Sequence, residues 1–95
     1  MPNARIQHHP QDQEFTAELS GATAELAYSR PDEQTIDFTH TFVDEALRGQ
    51  GVGEQLARHG LAFAREEKLR VRTSCRFMQI FVKKHHEEYA DLLAG

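Results

Sequence analysis

The residues best suited to chemistry are Arg48-Gly49-Gln50-Gly51-Val52-Gly53, in which glycines alternate behind an arginine. Glycine lets a backbone approach a bulky anion with no side chain intervening. The first turn of a helix carries N–H groups without intrahelical partners, and its dipole favours negative charge. A guanidinium beside that opening donates paired hydrogen bonds to phosphate oxygens. The pattern therefore fits a pyrophosphate cradle. Two familiar phosphate loops fit it poorly. A P-loop needs Lys and then Ser or Thr after its last glycine, whereas Gly53 is followed by Glu54 and Gln55. A dinucleotide fingerprint begun at Gly49 and Gly51 needs glycine at position 54, where the chain has Glu. The bland alternative is a turn whose glycines only start a helix.

Cys75 is the sole cysteine, so no intrachain disulfide forms. It stands where a short strand feeds a helix, and a helix amino terminus favours the thiolate, the nucleophilic form. Arg76 beside it adds a cation. The competing reading is a small, buried, apolar cysteine. His40 and Glu25 are candidate bases on strands; otherwise they are a structural histidine and a solvated carboxylate. The histidine pairs His8-His9 and His85-His86 cannot converge on one ion, and Cys75 lacks any four-ligand spacing, so no metal site is expected.

The elements that must position these groups follow from periodicity. Met1 to Ile6 reads as a short edge strand or a frayed end. Glu14 to Leu19 alternates as a strand, Ser20-Gly21 is a turn, and Ala22 to Tyr28 is a second strand. Arg30-Pro31-Asp32-Glu33 reads as the next turn. Thr35 to Val43 is the strongest strand, and plain alternation puts Ile36, Phe38, His40 and Phe42 on one side. Val52, Leu56, Gly60 and Phe63, widened by Ala57 and Ala64, then mark an amphipathic helix over 51–67, with Leu61 on its far side, either buried against another element or an exposed apolar spot. Leu69 to Ser74 reads as a strand parallel to its neighbour through a right-handed crossover. A helix over 76–86 carries a Phe77, Ile80 and Phe81 stripe expected in the core. Tyr89, Leu92 and Leu93 fold back on the body.

Composition sets the class. The 95 residues fit one domain, 1–95, with a modest core. No apolar stretch reaches membrane-spanning length, and a soluble cytoplasmic protein with no membrane partner is expected. The net charge of -4 is mixed in sign. Its densest basic run, Lys83 to His86, is followed at once by Glu87 and Glu88, which argues against nucleic acid.

Taken together, the chain resembles the GCN5-related N-acetyltransferase superfamily, in its small acetyl-CoA-binding branch. The superfamily signature is Arg or Gln, two residues, Gly, one residue, then Gly or Ala; Arg48, Gly51 and Gly53 stand at those positions. The branch is also similar at 24–28, at His40-Thr41-Phe42-Val43, at Ser74-Cys75-Arg76-Phe77 and at 83–89, so the likeness spans about Phe15 to Leu93. The resemblance implies an α+β fold, a mixed curved sheet with flanking helices whose central strands splay to admit an acyl-pantetheine arm. It implies pantetheine contacts along His40 to Val43, an oxyanion-binding amide near Phe42 or Val43, and pyrophosphate contacts at Arg48, Gln50, Gly51, Val52 and Gly53. The implied ligands are acetyl-CoA and CoA. The implied activity is acyl transfer from acetyl-CoA to an amine or thiol acceptor, through Cys75 covalently or directly with His40 as base. The alternative is a non-catalytic CoA-binding regulatory or interaction module. Two departures stand out. The chain leaves no room for the amino-terminal helices common in the superfamily, and Phe77 lies in the region where many members carry a tyrosine acid.

Overall fold

The computed structural model describes residues 3–93, so the start of the expected Met1–Ile6 strand lies outside the described residues. Five strands form one sheet in chain order: β1 (Arg5–His9), β2 (Glu14–Leu19), β3 (Ala22–Asp32), β4 (Thr35–Val43) and β5 (Arg70–Thr73). The first four are antiparallel neighbours, and β5 lies parallel to β4. Between β4 and β5 run a short 3-10 turn, Glu45–Leu47, and the helix α1 (Val52–Glu66). After β5 come α2 (Arg76–Lys84) and a short α3 (His86–Tyr89). The sheet is thus mixed, with helices flanking it.

Ser20 and Gly21 both have positive φ, 55° and 82°, which is what a two-residue hairpin matched to strand twist requires. The next hairpin is tighter than expected. β3 runs on through Pro31 to Asp32, and a register shift between Ser29 and Asp32 accommodates the missing proline N–H. Arg30 closes the end, donating from Nε to Thr35 O and from Nη2 to Glu33 O, each at 3.0 Å.

A second irregularity decides the site. Tyr28 pairs with Phe38 but Ala27 pairs with His40, leaving Thr39 as an extra residue in β4. One extra residue reverses the alternation beyond it. Ile36 and Phe38 face the core, and after the bulge Thr41 and Val43 take that face, opposite the core residues Leu26 and Ala24. His40 and Phe42 turn to the other side, contrary to plain alternation, and Phe42 is 46% exposed.

The core lies between the sheet and α1. Gly60 sets their separation, because a Cβ there would stand 2.9 Å from Phe38 Cε1 and 3.0 Å from Leu26 Cδ2. Leu61, on the far side of the α1 stripe, is fully buried, the first of the two outcomes its position allowed. Arg58 and Arg65 flank it one turn either way and tie the carboxyl-terminal segment to α1. Arg58 Nη1 donates to Glu88 Oε2 at 2.9 Å and Tyr89 Oη at 3.1 Å, and Arg65 Nη2 to Asp91 Oδ1 at 2.8 Å. The α2 stripe also differs from expectation. Met78, Phe81 and Val82 are buried, while Ile80 is 54% exposed, a rotation of the buried face by about one residue.

Candidate functional site

Pairing of β4 with β5 runs from Thr35 opposite Arg70 to Phe38 opposite Thr73. There it stops. The Cys75 N–H donates to Phe38 O at 2.8 Å, and the chain then leaves the sheet as α2. Beyond Phe38, β4 is paired with β3 alone. In a strand, side-chain face and peptide direction are linked, alternating together. Phe38 presents its carbonyl toward β5, so Thr41 and Val43, on its face, direct their own N–H and C=O toward the space β5 vacates. The Asp44 N–H bond to Thr23 O, 3.2 Å, fits this phase: the peptides of Phe42 and His40 point toward β3. The strands therefore splay, and the open edge of β4 offers the peptide groups of Thr41 and the N–H of Val43, whose carbonyl accepts from Arg48 Nε at 3.4 Å.

The glycine loop continues that edge. Asp44 Oδ1 accepts from Ala46 N at 2.9 Å and sets the 3-10 turn, which buries Leu47. Gly49 and Gly51 have φ of 81° and 77°, the left-handed region where a Cβ is costly. Gly51 is the N-cap of α1 and, being glycine, supplies no side-chain acceptor to the first turn. The earliest hydrogen bond of the helix is Gln55 N to Gly51 O, 3.0 Å, which leaves the amides of Gly51 to Glu54 available to an anion, while the Gln50 N–H is held by Leu47 O at 3.3 Å. A cleft of ≈ 570 Å³ opens here, lined by Val43, Arg48, Gly51, Gly53, Glu54 and Phe77 among others. Gly53 matters for shape: a Cβ would meet Phe77 Cζ at 3.0 Å and Val43 Cγ2 at 3.4 Å.

At the root of the splay, Cys75 is the N-cap of α2 and only 8% exposed. Its Sγ lies 3.1 Å from Thr41 Oγ1. The bulge at Thr39 makes this contact possible, since without it Thr41 would face away. Thr41 enters the sequence reading only as part of the His40–Val43 segment expected along pantetheine; the approach of its hydroxyl to Cys75 was not expected, because it depends on the bulge.

Of the expected residues, the fold brings Val43, Arg48, Gly51, Val52 and Gly53 to one cleft, with Cys75 behind it. Gln50 turns its side chain back, Nε2 donating to Ala46 O at 2.9 Å, and its backbone N–H donates to Leu47 O at 3.3 Å, so both of its donors are engaged within the turn. Phe42, His40 and Glu25 are not brought there. Glu25 pairs with Phe42 and Ala27 with His40, so these side chains share the opposite sheet face. Among the described residues no three of His, Cys, Asp and Glu gather as metal ligands, and no helix is long and apolar enough to cross a membrane.

Comparison with known proteins gives the chain a family and a fold. Residues 14–92 match the family described as GCN5-related N-acetyl-transferase. Protein NATD1 of Bos taurus is 36% identical over 83 residues, covering 85% of this chain and 74% of that protein. Protein NATD1 of Danio rerio is 33% identical over 90 residues, covering 92% and 82%. Among solved structures, the NMR structure of a GCN5-like protein from Staphylococcus aureus superposes with a TM-score of 0.76 at 32% identity, over 100% of this chain and 92% of that one. An IAA acetyltransferase from Bacillus cereus, at 21% identity and a TM-score of 0.53 over 77% of this chain and 52% of that one, shares the fold alone.

Proposed function

Since the chain belongs to the GCN5-related N-acetyltransferase family, we propose that it binds acetyl-CoA and CoA in the splay and transfers the acetyl group to an amine or thiol acceptor. The observation that carries this reading is the continuity of three features: an uncapped glycine start to α1, the open edge of β4, and Cys75 at the root. Pyrophosphate would meet Arg48 and the amides of Gly51 to Gly53, with the Gln50 amide joining them only by giving up its bond to Leu47 O, and pantetheine would run along Thr41 and Val43. Free first-turn amides and a guanidinium fit that dianion, and Gly53 leaves the space it needs against Phe77.

For the acyl step the geometry favours Cys75 over His40. The thiolate attacks the acetyl carbonyl carbon, a new S–C bond forms, and the bond to the CoA sulfur breaks, with CoA leaving as a thiolate that takes up a proton. An acceptor amine then attacks the cysteinyl thioester, loses a proton, and releases the Cys75 thiolate. Donor and nucleophile would share one face of β4 in this route. A direct attack with His40 as base instead requires the acceptor to reach across from the opposite face. The Val43 amide, aimed into the splay, suits the developing oxyanion better than that of Phe42.

Isothermal calorimetry tests the binding. Arg48→Ala, at an exposed position, is expected to weaken CoA about tenfold, the loss of one charge-assisted contact. Gly51→Val should abolish binding of both ligands; unchanged affinity in a folded variant defeats this placement. Phe77, which cannot donate a proton, favours a second reading, a CoA-binding module without turnover. That module would bind acetyl-CoA yet show no time-dependent loss of the thioester with diverse amines.

A further inference from the structure

One wall of the glycine cleft carries charge of the wrong sign for a phosphate ligand. Glu54 stands at the third position of α1 and lines the cleft with Arg48 and Gly51. In the free protein a carboxylate in the first turn of a helix is favoured by the dipole. Against a bound diphosphate the same charge is repulsive. Lys84, in the last turn of α2, brings Nζ to 4.0 Å from Glu54 Oε2. The two helices meet here because Gly53, without a Cβ, lets Phe77 close in from the first turn of α2. The side chains of Lys84 and Glu54 are 67% and 48% exposed, so the pair contributes little to the fold and exchanges partners cheaply.

We propose that Lys84 is a phosphate-directed latch: it neutralises Glu54 in the free protein and turns to a phosphate group of CoA when the cleft is filled. The inference rests on the CoA reading of the cleft given above. Lys84 gains a more highly charged partner, and Glu54 limits how tightly the ligand is held. The shared chemistry is a phosphate oxyanion, and two groups of CoA carry it, the pyrophosphate and the 3′-phosphate.

Calorimetry at low ionic strength, with CoA and 3′-dephospho-CoA as ligands, separates the possibilities in wild type, Lys84→Met, Glu54→Gln and the double variant. Lys84→Met is expected to weaken CoA about three- to tenfold and Glu54→Gln to tighten it severalfold, with both effects shrinking as salt is added. In the double variant the two effects should fail to add, because each residue sets the other's state. A Lys84 effect that persists with 3′-dephospho-CoA assigns the contact to the pyrophosphate; one that vanishes assigns it to the 3′-phosphate. Wild-type binding of CoA with both single variants within twofold of it overturns the latch and leaves the CoA reading standing. No binding of CoA by the wild type overturns both.

Discussion

Cys75 has a hydroxyl beside it rather than a base. Thr41 Oγ1, 3.1 Å from Sγ, can donate to a thiolate and hold it toward the open edge of β4, but cannot remove the thiol proton. Brief exposure of the intact protein to acetyl-CoA is expected to add the mass of one acetyl group. Cys75→Ala should abolish the label, and a competent acceptor should discharge it. Thr41→Val keeps the shape and removes the hydroxyl, so the label should form about tenfold more slowly, the worth of one hydrogen bond to a charged group. A label that forms but never leaves would make it a side modification. Acceptor turnover at the wild-type rate in Cys75→Ala would remove Cys75 from the chemistry altogether.

Among the elements, β4 and α1 depend on each other at Gly60. An alanine there gains about 1 kcal/mol of helix propensity. Its Cβ would lie 2.9 Å from Phe38 and 3.0 Å from Leu26, both fully buried and unable to withdraw. Overpacking of this kind costs about 1–3 kcal/mol and should win, lowering the urea midpoint of Gly60→Ala by about 1 kcal/mol of net stability. A midpoint above wild type would mean that the sheet and α1 yield more easily than their packing implies. This is also the scale at which sequence reading succeeds and fails. The α1 stripe and the parallel β5 were legible because periodicity and chain order carry them directly. The turn into α1 was legible because Gly49 and Gly51 take the positive φ that starts it. The bulge was not. Thr39 is chemically ordinary in a run of β-branched and aromatic residues, and the extra position exists only relative to β3, so His40 and Phe42 were assigned to the face that Thr41 and Val43 occupy. For Leu61 the helical wheel leaves two outcomes open, burial against another element or exposure, and the structure has the first. Arg58 and Arg65 on the same side of α1 reach Glu88 and Asp91, and a helical wheel contains no such long-range partner.

For the whole molecule, the first strand is joined to the rest at a titratable point. β1 pairs only with β2, yet His8 reaches three other elements. Its ring stacks on Phe15 of β2 at 4.1 Å, meets the edge of Phe63 of α1 at 4.5 Å, and places Nε2 2.7 Å from Tyr28 Oη of β3. Ala4 N adds a bond to Gln55 Oε1 of α1, 2.9 Å. Burial, and then the charge of neighbouring His9, hold His8 below its usual pKa of 6.5; Tyr28 is raised by its own burial, partly opposed by nearby Arg30. The folded chain therefore resists protonation that the unfolded chain accepts. Its contribution to stability is complete above pH 6.5, declines as pH falls through that value, and levels off below the folded pKa. Asp32, held low first by the Gln34 backbone N–H, acts in a separate window below 3.8. Melting temperature should thus fall between about pH 8 and about pH 5. His8→Gln, which keeps a polar partner for Tyr28 without an ionisable ring, should flatten that slope even if it lowers the melting temperature at every pH. An unchanged slope in this variant would refute His8 as its source. If the slope does flatten, loss of β1 should lead acid unfolding, and amide exchange at Ile6 to His8 should accelerate before exchange in β4 and α1. Simultaneous loss everywhere would instead mean that the histidine acts on a single cooperative unit, with β1 as integral to the sheet as β4.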